Sequence, residues 1–366
     1  MTWQGISGHN VVAERFARIA AHGRLPCAFL FVGPPGTGKR SFAIEVARVL
    51  LCSGRDATSI SNGTLAGFTA CGHCPDCLQV TEGVHPDLMC ISRPEGKSTI
   101  PVELLIGAQD KRMRTGLLHD LSLKSFRGRW KIAIIDDADD LAAEGANALL
   151  KTLEEPPPQA MLILIGTSAD KQLPTIRSRC QIMRFTPLAD DVMRRLVIEQ
   201  QIAENTEQAE TMTAFSGGSL TKARQLADPD VFSFREQLLR LLAQADFNPD
   251  ELASGVQAFA DAAGKEAPPR RARTKLALDF ALELFRQIAR VASGSEVQAD
   301  SELQSCVAAR LGSAPIGAET CVRVAERTLD AWEEVDRNAN LANVIACWAD
   351  EVWRMSRATV QRAAAR

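Results

Sequence analysis

The sequence predicts an α/β domain on a parallel sheet with a cysteine-rich insert, followed by a small helical domain and an all-helical one. Three observations predict it. Short apolar runs alternate with helical patterns over roughly the first 190 residues. A glycine-rich turn follows the first of those runs. After Pro187 almost every stretch reads helical. Strands flanked by helices imply βαβ units with both sheet faces covered.

In chain order, Phe29-Leu30-Phe31-Val32 is the first strand. Ser41 to Leu51 reads as a helix, with Ala43, Val46, Ala47 and Leu50 on one face. Ile132 to Ile135 is a second buried strand and Met161 to Ile165 a third. Ser216-Gly217-Gly218-Ser219 is a turn between helical patches, and Gly264 to Arg273, with Pro268 and Pro269, reads as a loop or hinge. Leu276, Phe280, Leu284 and Ile288 then recur every four residues, with Leu278, Leu282 and Phe285 widening the stripe. The Ala-Arg-rich end reads as a fraying helix or tail.

Composition bounds the function. The 366 residues suffice for two or three domains, and a 46% hydrophobic, 24% charged chain is neither disordered nor fibrous. No apolar run reaches roughly 18 residues, so no membrane-spanning helix is expected. MTWQGISGHN lacks a basic region ahead of an apolar stretch, so no signal peptide is expected. A net charge of −3 argues against a uniformly basic, nucleic-acid-coating surface.

Gly33-Pro34-Pro35-Gly36-Thr37-Gly38-Lys39 follows a strand and opens a helix, the context of a phosphate-binding loop. Its backbone N–H groups and the helix N-terminus would face phosphate, with Lys39 adding charge. The next position should be a Ser or Thr whose hydroxyl holds Mg²⁺; Arg40 stands there and Ser41 comes one residue late. One residue turns a helical side chain by roughly 100°, so Ser41 is a poor substitute and the metal site is weakened. Asp136-Asp137 follows the second strand, where a first acid helps hold Mg²⁺ and a second acts on the attacking water. Asp136 suits the first role; Asp137 is one methylene shorter than the usual Glu.

The run Ala146-Asn147-Ala148-Leu149-Leu150-Lys151-Thr152-Leu153-Glu154-Glu155-Pro156-Pro157, followed by Ser178-Arg179-Cys180, resembles the bacterial clamp loaders. These are AAA+ proteins of DNA polymerase III, and the likeness is to their delta-prime type. It covers residues 6–225 well and the rest in pattern. Ala146, Leu149, Leu150 and Leu153 also form one apolar helix face, which Pro156 ends. The resemblance implies an AAA+ domain over 1–187 with a zinc module at about 52–90, a helical lid over 188–235 and a collar over 236–366. It makes Arg179 a finger reaching a neighbour's ATP, with Arg177 as a nearby decoy. Ser168, with Thr167, falls at the family's polar sensor position. Thr221 falls where many relatives carry a nucleotide-sensing arginine, and Arg224 lies one turn on.

Arg40, Asp137 and Thr221 each remove a part that hydrolysis needs, while Arg179 remains. That pattern implies a subunit weak or inactive as an ATPase, with ATP binding left open. The partners implied are motor ATPase and delta-like subunits in a hetero-pentamer, the sliding clamp, and primer-template DNA through the complex, in the cytoplasm. The alternative is a gamma/tau-type motor ATPase, against which stand the three departures and a chain ending soon after the collar.

Ten cysteines must be explained by position. Cys71, Cys74 and Cys77 have knuckle spacing and Cys52 lies upstream; four thiolates make a closed, structural zinc site, which the resemblance also implies. His73 and Cys90 are less suited. A ferredoxin-like cluster would need a cysteine where Thr81 stands. The other six read as small buried hydrophobes. Between Lys111 and Lys131, Lys111, Arg112, Arg114, Lys124, Arg127, Arg129 and Lys131 face one acid, Asp120. This is either a phosphate-contacting patch or a solvated face.

Overall fold

The computed structural model describes residues 3–21, 25–54, 67–94, 96–297, 300–313 and 316–364, the last few by backbone only. The chain separates into two compact units. The first comprises residues 1–193 with Gly218–Thr221; the second comprises 194–217 and 222–366.

The first unit begins with α1 (Asn10–Ala21), β1 (Ala28–Val32) and α2 (Lys39–Leu51). It continues through α3 (Pro75–Glu82), β2 (Leu88–Ile91), α4 (Val102–Ile106), α5 (Leu117–Ser122) and β3 (Lys131–Ile135). Then come α6 (Ala143–Glu154), β4 (Ala160–Gly166), α7 (Pro174–Arg177) and β5 (Gln181–Arg184). The five strands form one parallel sheet in the order β2-β3-β4-β1-β5. β2 and β5, the two edge strands, are additions to the three that the sequence announces. Cys90 lies on edge strand β2 and is exposed, so the reading of it as a buried hydrophobe is corrected; Cys347 is likewise exposed.

Each central strand is apolar throughout because both of its faces are covered. Phe29, Phe31, Ile132, Ile134, Met161 and Ile163 join Phe16, Phe42 and Val46 on one side of the sheet. Leu30, Val32, Ala133, Ile135, Leu162 and Leu164 join Leu149 and Leu153 of α6 on the other. Period-two alternation thus separates two cores. Leu149 is fully buried, worth about 1.5–3 kcal/mol relative to exposure. The phosphate loop leaves the C-terminal end of β1, between β4 and β5. In open α/β sheets that end, where strand order reverses, is where ligands bind.

The chain passes from the first unit to the second within α8 (Asp190–Glu199). The second unit is helical: α9 (Thr206–Ser216), the end of α10 (Leu220–Gln225), α11 (Pro229–Leu242), α12 (Pro249–Asp261) and α13 (Ala267–Ala292). It ends with α14 (Ser301–Ser313), α15 (Ala318–Asp336) and α16 (Leu341–Ala364). α13 packs on α11, α12, α14 and α15, burying Leu276, Phe280, Leu284, Phe285 and Ile288. The proline pair expected to mark a loop instead opens α13: Pro268 and Pro269 occupy its first turn, where a missing N–H costs nothing. Trp348 is fully buried on α16 and its indole N–H donates to Thr328 Oγ1 at 3.1 Å. No described helix is long and apolar enough to cross a membrane.

Candidate functional site

The phosphate loop is closed on itself. Gly36 and Gly38 have φ of +74° and +88°, a region that L side chains rarely adopt, and Gly38 caps α2. Lys39 lies at the first turn of α2, and its Nζ donates to the carbonyls of Gly33 and Pro34, each at 2.6 Å. Burial pulls the Lys39 ammonium below its ordinary pKa, while Asp136, Asp139 and Asp137 draw it back. Thr37 is buried and its hydroxyl donates to Pro34 O at 2.9 Å. His9, from the start of the chain, supports the loop from outside: its Nε2 donates to Thr37 O at 2.5 Å. Burial, aided by the Lys39 charge, lowers the His9 pKa, so the imidazole is neutral at pH 7.

The metal side of this loop carries an ion pair. Arg40 lies 3.4 Å from Asp136, so a cation stands beside the acid that would help hold Mg²⁺. Ser41 is exposed on α2. Asp137 adopts the left-handed conformation, φ +52°, with its N–H on Asp136 Oδ1 at 3.0 Å. Burial and the neighbouring Asp136 carboxylate raise its pKa.

A third acid of the same loop is the best connected, and the sequence reading did not single it out. Asp139 accepts Thr167 N–H at 2.7 Å, Thr167 Oγ1–H at 2.5 Å and Gln172 Nε2 at 2.9 Å. Thr167 in turn accepts Gly33 N–H at 3.1 Å, which ties the strand end to the phosphate loop. Ser168 is used differently: its hydroxyl caps the short turn at 169–171, accepting Asp170 N–H at 3.2 Å. The signal in the sequence was the glycine ending β4. A Cβ at Gly166 would stand 2.4 Å from Asp139 Oδ1, so the carboxylate needs that position bare.

Gly218 to Thr221 lie against the phosphate loop. Leu220 N–H donates to Gly36 O at 2.9 Å, and Gly218 O accepts Leu188 N–H at 3.1 Å. A Cβ on Gly36 would come 2.1 Å from Ser219 Oγ and 2.9 Å from Thr221 Cβ. Arg224, one turn beyond Thr221, donates to Gln200 Oε1 at 2.6 Å.

Arg179 follows α7, and its N–H closes on Ile176 O at 3.1 Å. Its guanidinium donates to Thr175 O at 3.1 Å and pairs with Glu154, the last residue of α6, at 2.8 Å. The pair is exposed, with the Arg179 side chain 36% accessible. Arg177 is engaged elsewhere, on Asp170 at 2.6 Å. α6 ends ahead of Pro156, as its sequence requires.

The four cysteines converge. The Sγ atoms of Cys52, Cys71, Cys74 and Cys77 lie within 4.8 Å of one another, with Cys52–Cys74 and Cys71–Cys77 at 3.9 Å. Four thiolates about 2.3 Å from one zinc ion would be roughly 3.8 Å apart, so the cluster fits a closed tetrahedral site. Cys71 N–H, Cys74 N–H and Cys77 N–H each donate to a preceding ligand's sulfur at 3.4 Å. Burial pushes the Cys74 thiol up, but hydrogen bonds from Ser53, Cys77 and Gly54 outweigh it and hold the pKa at about 5. His73 is turned to Cys71 O, outside the cluster, and Thr81 donates to Cys77 O.

Two cations of the basic segment are bonded to this module. Arg129 donates to Cys52 O at 2.6 Å, and Arg127 pairs with the buried Asp76 at 3.3 Å. Lys131 is buried 3.6 Å from Asp87, and Arg112 pairs with Glu144. Lys111, Arg114 and Lys124 are exposed. Four of the seven cations are thus engaged within the chain, which breaks up the single patch the sequence suggested. Phe126 on the same loop is 76% exposed.

The loop, the acidic strand end and the Ser-Arg-Cys turn lie in one segment that matches a known family. The profile described as "DNA polymerase III, delta subunit" matches residues 8–189. Residues 8–189 belong to the clamp-loader family. The chain is 31% identical over 210 residues to DNA polymerase III subunit delta' of Bacillus subtilis, covering 57% of this chain and 56% of that protein. It is 30% identical to subunit delta' of Pseudomonas aeruginosa, covering 58% and 59%. To subunit tau of Salmonella typhimurium it is 31% identical, covering 79% of this chain and 44% of that protein. The chain spans about half the length of the curated relatives it matches. Among solved structures it is similar to a gamma subunit-related protein of Thermotoga maritima, with 16% identity and a TM-score of 0.39 over 95% of this chain and 99% of that one.

Proposed function

We propose that this clamp-loader chain is a delta-prime-like subunit, which joins motor ATPase and delta-like subunits in a hetero-pentamer and helps place the sliding clamp on primed DNA. It would work in the cytoplasm, where that DNA is. The observation that carries the reading is an asymmetry. Arg40 is paired with Asp136 on the metal side of the chain's own phosphate loop, while Arg179 stands exposed at the end of α7. A chain built this way has little to do with its own nucleotide and a cation to offer a neighbour's. In the neighbour's site the Arg179 guanidinium offsets charge developing on the transferred phosphoryl group, a role that can be supplied in trans. Release from Glu154 would free it, and an exposed ion pair is worth only about 0–1 kcal/mol.

Residues 188–235 are read as the lid and 236–366 as the collar. Cys52, Cys71, Cys74 and Cys77 would hold a zinc ion with a structural role. The relatives named delta' favour the non-motor subunit. A motor subunit of the gamma/tau type is the second reading, favoured by equal identity to subunit tau and by the intact Lys39.

The test is reconstitution with motor and delta-like subunits, comparing wild type with Arg179→Ala. A fall in the complex's ATPase of about 10³-fold per affected site, with assembly intact, is expected. Full ATPase in the variant complex would overturn the finger role. A purified chain that hydrolyses ATP rapidly, and loses this on Lys39→Ala, would favour the motor reading.

A further inference from the structure

We propose that Asp139 is a positioning residue for Arg179, setting from the chain's own acidic loop where the finger is presented. This rests on the reading of Arg179 as a finger and goes beyond it, because it names what holds the finger. The chain between the end of β4 and Arg179 is short and bonded at both ends. At its start, the Asp139 carboxylate takes three donors: Thr167 N–H, the Thr167 hydroxyl and Gln172 Nε2. Gln172 is buried and its own N–H closes on Ala169 O at 3.2 Å, so residues 167–172 form one clamped strap. Leu173 follows at once and caps α7.

From there the bonds run on without a gap. Ile176 and Arg177 N–H close on Leu173 O at 3.0 Å, and Ser178 N–H on Pro174 O at 3.0 Å. Ile176 is fully buried in the core, and Arg179 is tied to Thr175 O of the same turn. Arg177 pins the strap to α7 through Asp170. A shift at Asp139 therefore moves the whole turn that carries Arg179. The strap is also joined to the phosphate loop by Gly33 N–H on Thr167 O. Asp139 lies in the turn that follows Asp136 and Asp137, its side chain 12% exposed, with Lys171 Nζ at 4.0 Å, and its charge is felt by Lys39. Gly166 fits the role, since any side chain there would displace the carboxylate.

The test uses the reconstituted complex and a double-mutant cycle in this subunit. Asp139→Ala is expected to lower the complex's ATPase kcat roughly tenfold, because small misplacements of a positioned group have effects of that order or more. KM for ATP should stay within about twofold of wild type, and assembly by gel filtration should be unchanged. Asp139→Ala with Arg179→Ala should be no worse than Arg179→Ala alone, since one residue acts through the other. Should Asp139→Ala fail to assemble, Asp139→Asn and Thr167→Val, which remove fewer bonds, carry the same cycle. Multiplicative effects in the double variant, or full kcat in the single variants, would overturn the proposal while leaving Arg179 as the finger. Full kcat in Arg179→Ala would overturn both.

Discussion

Leu220 N–H donates to Gly36 O at 2.9 Å, joining a segment from beyond Pro187 to the second glycine of the phosphate loop. The contact leaves no room for a side chain. Gly36→Ala would press a methyl against Ser219 and Thr221 and force a non-glycine residue to φ +74°. A loss of about 1–3 kcal/mol is expected, read as a lower urea midpoint with an unchanged slope. An unchanged midpoint would mean that the contact yields freely.

The isolated chain should hydrolyse ATP slowly. Arg40 stands where a Ser or Thr hydroxyl would hold Mg²⁺ and pairs with Asp136, the acid that would help hold the same ion, so the metal side of the site is weakened. Phosphate release by the purified chain should be near background, and Lys39→Ala should not lower it further.

One zinc per chain is expected by metal analysis, and less than about half would count against the site. Because Arg129 holds Cys52 O and Arg127 holds Asp76, chelation should free the loop at residues 125–129. Hydrogen exchange there should rise after metal removal, and Cys74→Ser should reproduce the effect without chelator. Protection unchanged in both would separate the loop from the cysteines.

Acid should weaken the fold around His9. Its folded pKa lies below the 6.5 of a free imidazole because of burial and the nearby Lys39 charge. As pH falls through 6.5 the unfolded chain takes up the proton first, so stability is full above that value. It declines until pH passes the lowered folded pKa, then levels. Thermal melts between pH 7.5 and about 4.5 should show this slope, and His9→Gln should flatten it.

Much of the first unit could be read without a structure, because its signals are local. Three central strands, the glycine loop, the helix ending at Glu154 and the four cysteines each declare themselves within a few residues. The edge strands β2 and β5 did not, since four residues are too few to show a period, whether all apolar as in Leu88–Ile91 or mixed as in Gln181–Arg184. Pro268 and Pro269 misled for a related reason: a proline that breaks a helix interior is welcome in its first turn, and only the helix boundary decides between the two.

What the sequence determined by itself is the chemistry on offer: a phosphate loop short of its hydroxyl, an arginine at the Ser-Arg-Cys turn, and thiols at knuckle spacing. Tertiary structure decided how those groups are spent. It paired Arg40 with Asp136, drew Arg127 and Arg129 onto the cysteine module, and gave Asp139 the strap that leads to Arg179. Those pairings join residues between 28 and 96 positions apart, from Asp139 and Thr167 to Arg40 and Asp136. Spacing along the chain reports helix faces and strand alternation, whereas the partner of a charge is set by which elements the sheet brings side by side.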